Sequence, residues 1–404
     1  MPSNIVLFAA ILGLACSTGF VLLLAYATIR FCSRRRRERG AASAHPPVTL
    51  LKPLCGMEPG LRANLESFFL QDYPKYEIVF GTRDPSDPAL EVVRELQELY
   101  PQVPVRITYS GEPDRPNAKV CSLRKMYAAA SHDYLIISDS DVHVRPGYIR
   151  EVVRPLLTPS VGLVTCFYEG VPSGGLWSHL EALGMSVEMT SGVMVADLVE
   201  GMTFALGPTM ATRRDVLDRI GGFAVLADYC ADDYVLGNEI FRAGFKVVLS
   251  THVIQHIVLN RNFRSSMLHQ ARWMKSSRFS RSLGHVGTVL TFAMPFGIVG
   301  ALAALVAGHP WLALAVFLFA ALNRIALSVI AGWFVVRDRR ALALAWLYPL
   351  RDLMGFGFWC ASFLGREIVW RNERYRLLPR GLMVRVGPPA EPASSGPVAI
   401  DDLV

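Results

Sequence analysis

Cysteine chemistry is sparse in this chain. Its seven cysteines (Cys16, Cys32, Cys55, Cys121, Cys166, Cys230 and Cys360) are odd in number and form no C-x-x-C pair. That argues against a disulfide framework or a thiolate zinc site and fits a reducing compartment. No G-x-G-x-x-G opens a helix, so a nicotinamide site is not supported. There is no recognisable nucleic-acid module and no internal repeat. Charge is also scarce, at 19% of the 404 residues, against 52% hydrophobic. Mean hydropathy is +0.32. This balance argues against an ordinary soluble protein and points to membrane segments beside a water-soluble domain.

The first apolar run, Ile5 to Ile29, carries no charge over 25 residues, enough to span a bilayer. A cleaved signal peptide is the alternative. Against it, Met1 to Asn4 lacks Lys and Arg, the run is long, and the arginines come after it. Much of the net +7 charge sits there, in Arg34 to Arg37 and Arg39. The positive-inside rule places that run in the cytoplasm. A small-residue and proline linker, Ala41 to Pro47, follows.

From Val48 to about Arg281 the pattern alternates. Strands are expected at Val48 to Pro53, Tyr76 to Gly81, Val105 to Tyr109 and Tyr134 to Ile137. Helices are expected at Leu61 to Leu70, Pro88 to Tyr100 and Asn117 to Ala130. Alternation of this kind predicts a doubly wound, largely parallel α/β sheet, with ligands at the carboxyl ends of its strands. Three apolar stretches close the chain: Val286 to Ala307, Pro310 to Val336 and Ala341 to Leu364. The first two predict a hairpin turning at Gly308-His309-Pro310. The third contains Arg351 and Asp352, and a charge at mid-bilayer costs at least ~2.5 kcal/mol on insertion scales. It is read as re-entrant or interfacial, with full spanning as the alternative. The division is then an anchor at 1–33, a basic linker at 34–47, an α/β domain at 48–284, membrane helices at 285–366, and a basic, then flexible, cytoplasmic tail at 367–404.

Asp139-Ser140-Asp141 follows the apolar strand Tyr134 to Ile137. Two carboxylates at i and i+2 can hold a hard divalent cation shared with a diphosphate, and a solvated turn is the bland alternative. Asp84 lies just past the second strand, where a carboxylate can accept from a nucleobase edge; Asp87 is an equally plausible loop residue. Lys119 begins a helix, a place suited to phosphate. Asp232-Asp233 open another helix: one aspartate is expected to cap it or support the site, and Asp233 to act as a base towards an acceptor hydroxyl. Arg272 can grip a diphosphate bidentately, and Trp273 can pack on a sugar. An Arg-Trp membrane anchor is the alternative.

The order Asp84, Asp139-Ser140-Asp141, Asp232-Asp233, Arg272-Trp273 and then apolar helices resembles the ceramide glucosyltransferase family, glycosyltransferase family 21. So do Arg83-Asp-Pro-Ser-Asp-Pro-Ala-Leu, Gly207-Pro-Thr-Met-Ala-Thr-Arg-Arg-Asp-Val-Leu and Ala227-Asp-Tyr-Cys-Ala-Asp-Asp-Tyr. Bacterial hopanoid glycosyltransferases are similar at this level. The resemblance implies a GT-A-like nucleotide-sugar-binding domain, a UDP-sugar donor and a divalent metal, Mg²⁺ or Mn²⁺. It implies uracil contact by Asp84, with Lys119 near the nucleotide. Asp139 would lie by ribose and metal, and Asp141 would be the main metal ligand. Asp233 would be the base, and Arg272 and Trp273 would hold the diphosphate. One position departs from the family pattern: His269 stands where Gln or Arg is usual.

The reaction so implied is an in-line displacement giving a β-glycoside on a lipid hydroxyl. Glucose on ceramide is the first expectation, and N-acetylglucosamine or another hexose on a hopanoid polyol the second. A processive polysaccharide synthase and a non-catalytic membrane scaffold are the other readings. The apolar segment Gly175 to Phe204 is read either as a bilayer-surface element admitting a lipid tail or as buried helix. Met202 to Thr212 is expected to be a strand beneath the acceptor. No nucleic-acid partner is expected, and the oligomeric state is open.

Overall fold

The computed structural model describes residues 2–38, 44–260, 262–370 and 373–387. Helix α1 runs Pro2–Glu38 without a break, so the basic run stays helical instead of forming a linker. Arg34 donates to the Leu249 carbonyl at 2.5 Å, and Arg35 to those of Thr251 at 3.1 Å and Val335 at 2.9 Å. The basic residues therefore fasten the anchor to the domain behind it. Arg39 and residues 41–43 of the expected 41–47 linker lie outside the described residues.

The domain opens with β1 (Val48–Pro53), α2 (Leu61–Phe69), β2 (Tyr76–Thr82), α3 (Ala89–Leu99), β3 (Val105–Tyr109), α4 (Ala118–Ala129) and β4 (Tyr134–Ile137). It continues with β5 (Val142–His143), α5 (Tyr148–Val153), β6 (Val161–Pro172), α6 (Leu176–Gly184), α7 (Thr190–Val199), β7 (Met210–Arg213), α8 (Arg214–Arg219), α9 (Asp232–Arg242) and β8 (Lys246–Val258). The eight strands form one sheet in the order β3-β2-β1-β4-β7-β6-β8-β5. β1 pairs in parallel with β2 and β4, β2 with β3, and β6 with β8. Pairing is antiparallel where β7 joins β4 and β6 and where β5 joins β8. Strands β1 and β2 are buried almost throughout, as expected in a parallel sheet covered on both faces, and they carry Thr49, Lys52 and Glu77 into the interior.

α10 (Phe263–Ser280), α11 (Ser282–Gly287), α12 (Met294–Val306), α13 (Pro310–Ser328), α14 (Arg339–Ala343) and α15 (Tyr348–Ser362) follow, then β9 (Glu367–Trp370), β10 (Glu373–Leu377) and β11 (Met383–Arg385). Among the described residues, three helical stretches are long and apolar enough to cross a membrane: Ser3–Glu38, Leu176–Val199 and Pro310–Val335. Ser282–Thr291 and Met294–Val306, bent by 49°, make a fourth if they are one span. α12 and α13 turn through Gly308 at φ +81, a left-handed value that suits glycine.

Three local expectations change. Of Met202 to Thr212 only the end from Met210 is strand, and the rest is loop. Ala341 to Leu364 is broken near Leu344 into α14 and α15 and offers no single long helix. Its Arg351 and Asp352 do not pair with each other. Arg351 bonds to Glu188 at 3.0 Å and to Gln270 at 2.6 Å, and Asp352 to Arg324 at 3.2 Å. Asp352 also accepts from the Ala293 and Met294 N–H groups at the start of α12. Lastly, 367–385 is not simply a tail: β9, β10 and β11 form a separate antiparallel sheet. Arg371 and residues 388–404 lie outside the described residues.

Candidate active site

The parallel order brings β1 and β4 side by side, so both end at one edge of the sheet. Asp139 and Asp141 leave β4 there. Lys119 is the second residue of α4, whose N-terminus is capped by Asn117 accepting from the Val120 N–H. Its Nζ lies 2.6 Å from Asp139 and 3.6 Å from Asp232. Burial opposes its charge, but Asp139 and Asp232 outweigh that and raise its pKa.

Asp232 is not a helix cap. Ala231 holds that position without a side-chain bond, and Asp232 turns inward to Lys119. Asp233 accepts from the Tyr234 N–H at 2.7 Å and from the Gly207 N–H at 2.8 Å. Burial, and then the neighbouring Asp232, push its carboxyl up to about 6. A β-carbon at Gly207 would stand 3.1 Å from Asp233 and 3.7 Å from Asp139, so a glycine here keeps the space between the two carboxylates open.

Two residues that sequence reasoning missed join the cluster. Lys52, at the end of β1, is fully buried; its Nζ donates to the Asp139 carbonyl at 2.5 Å and sits 3.7 Å from the Phe68 ring centre. Burial lowers its pKa to about 7, although Asp139, Asp141 and Glu58 act the other way. A lone lysine inside an apolar strand was the available signal. His256, late in β8, places Nε2 3.0 Å from Asp141 Oδ2. Burial alone would raise Asp141, yet His256 holds it below the usual carboxylate range. Nothing local marks His256, because β8 reaches Asp141 only through the sheet.

Trp273 lies on α10, its ring 6.4 Å from His256 and 4.6 Å from His269. His269 Nδ1 is 2.7 Å from buried Glu181 of α6. Arg272 faces the Trp370 ring at 5.7 Å. Asp84 stands apart. Its carboxylate accepts from the Ser86 hydroxyl and N–H, which hold its pKa down, and among the described residues no hydrogen bond joins it to the cluster. Asp87 instead accepts from the N–H groups of Gly56 and Ala89. A cavity of about 310 Å³ beside Tyr127, Asp218 and Phe223 includes none of Asp139, Asp141, Asp232 and Asp233.

The fit to a divalent cation can be judged from the donors present. Among the described residues no group of three or more His, Cys, Asp or Glu side chains is poised as a complete cage. Asp141 Oδ1 is nevertheless buried without a hydrogen-bond partner. His256 Nε2 occupies the other oxygen, Oδ2, at 3.0 Å, so Oδ1 is the one left to an ion. A partial site suits an ion that keeps waters and takes phosphate oxygens.

The fold is that of a mannosyltransferase from Pyrobaculum calidifontis, solved in complex with GDP-Man and Mn²⁺. The TM-score is 0.52 at 19% identity, covering 89% of this chain and 98% of that one. "Ceramide glucosyltransferase 1" of Caenorhabditis elegans is 28% identical over 231 residues, 57% of this chain and 49% of that protein. "Ceramide glucosyltransferase" of Komagataella phaffii is 36% identical over 143 residues, 34% of this chain and 28% of its own length. The chain thus spans about half, or less, of the length of these relatives. The model of "Glycosyl transferase family 21" matches residues 6–383, nearly the whole described chain, and the chain belongs to that family.

Proposed function

We propose that this chain is a membrane-bound inverting glycosyltransferase that moves a hexose from a UDP-sugar to a lipid hydroxyl, with glucose and ceramide as first choice. The observation that carries the reading is the cluster at the ends of β1 and β4: Asp139 and Asp232 on Lys119, Asp141 on His256, and Asp233 across Gly207.

In this reading Asp139 and Asp141 would hold a divalent cation, with His256 orienting Asp141, and the ion would neutralise charge on the departing diphosphate. Lys119 adds positive charge near the phosphates, and Arg272 supports them from α10. Trp273 closes the site beside the sugar. Asp233 takes the acceptor proton, and a carboxyl with a pKa of about 6 is ionised at neutral pH yet basic enough for that task. Asp84 serves the uracil from its exposed loop. The apolar helices bring the domain to lipid, and the positive-inside rule sets it on the cytoplasmic face.

Membranes containing the chain, given radiolabelled UDP-glucose, ceramide and Mn²⁺ or Mg²⁺, test this directly. Labelled lipid that disappears with EDTA and with Asp233→Asn supports the reading. Label that survives Asp233→Asn removes the assigned base. Label obtained only with UDP-N-acetylglucosamine and a hopanoid polyol replaces both the sugar and the acceptor.

A further inference from the structure

The sheet β9-β10-β11 sits against the elements that carry the cluster. On β11 the Met383 N–H donates to the Asp228 carbonyl at 2.8 Å, and just before β11 the Gly381 carbonyl accepts from the Cys230 N–H at 3.0 Å. The other flank of the same loop holds α4: the Asn117 side chain donates to the Tyr229 carbonyl at 2.9 Å, and the Asn117 N–H to that of Ala227 at 2.9 Å. Asp232 and Asp233 follow this loop. Sheet, loop and the Lys119 helix are therefore one hydrogen-bonded stack. A small core of Ile368, Tyr375, Leu377 and Met383 closes around Cys230. On its other side β9 meets α10, where Lys275 Nζ donates to the Glu367 carbonyl at 3.1 Å. There the Trp370 ring faces the Arg272 guanidinium.

We infer that Trp370 is a positioning residue for the donor diphosphate, holding the Arg272 guanidinium by its face so that its N–H edge is set for phosphate. The inference rests on the donor reading above. A free arginine side chain samples many rotamers, and a ring against its face reduces the ordering cost of binding. A phosphate is recognised through the guanidinium edge, so ring and phosphate do not compete for the same surface. The carboxyl-terminal arginines fit this structural role. Arg374 and Arg376 pair with Glu367, and Arg385 pairs with Glu373.

The test is calorimetric titration of UDP with Mn²⁺ into the full-length protein in detergent, for wild type, Trp370→Ala, Trp370→Phe, Arg272→Ala and the Trp370→Ala/Arg272→Ala double variant. Trp370→Ala is expected to weaken binding roughly three- to thirty-fold. Trp370→Phe should keep most of the affinity, and the alanine at 370 should add little once Arg272 is gone. Unchanged affinity in Trp370→Ala, or full additivity in the double variant, overturns the inference alone. A wild-type protein that binds no UDP overturns the donor reading and this inference with it.

Discussion

At the scale of the residue, two buried groups define what the site can do. As the proposed base, Asp233 must be ionised to accept a proton, so activity should fall as pH drops through about 6. Asp233→Asn should lower kcat by about 10²- to 10⁴-fold with little change in donor affinity. A pH–rate profile and donor titration check this, and a mutant with normal kcat would remove Asp233 from the mechanism. Lys52 leads to a stability prediction. Its pKa falls from 10.5 to about 7 on folding. Between those values the unfolded chain binds more protons, so this group makes the protein more stable as pH rises. Relative to Lys52→Met, the wild type should gain melting temperature from pH 7 to pH 10 in EDTA. A flat difference would contradict the assigned burial. The Asp pairs and Arg272-Trp273 were legible beforehand because their chemistry is written in adjacent residues. Lys52 and His256 were not, because each reaches the acidic cluster only through strand pairing.

At the scale of the element, α15 shows how a charge pair lives among apolar helices. Asp352 meets Arg324 of α13 and also receives two N–H groups at the start of α12, so three helices share one carboxylate. Arg324 further bonds to the Thr291 carbonyl and to Ser17 of α1. Asp352→Ala strands a buried guanidinium and should cost about 3 kcal/mol, whereas Asp352→Asn keeps an acceptor for the α12 N–H groups and should cost less. Thermal unfolding in detergent ranks the two. Equal stability of both variants with wild type would show that the pair holds nothing together. The same logic explains why Ala341 to Leu364 was hard to read: each charge has its partner on a different, distant helix.

At the scale of the whole molecule, orientation is the open quantity with a simple measurement. Cys55 is exposed on the α/β domain. In a chain carrying Cys16→Ala and Cys360→Ala, an impermeant maleimide should label Cys55 in inside-out vesicles and not in intact cells. Labelling in intact cells would put the domain outside and overturn the positive-inside argument. The basic run bears on this geometry too, since Arg34 and Arg35 bind carbonyls of β8 and of the segment after α13. Specific bonds therefore join the first helix to the domain.

The sequence alone determined the α/β alternation, the long apolar first helix, the hairpin at Gly308, and the acidic motifs with their order. Hydrophobic period and adjacent chemistry are local properties and need no folded partner to be read. Only the tertiary structure decided that Asp232 faces Lys119 instead of capping its helix, that His256 meets Asp141, that Glu181 receives His269, and that the arginine-rich end forms a sheet against the site. Each of these depends on which elements the fold brings together, and contacts across 80 or more residues leave no mark in the residues on either side.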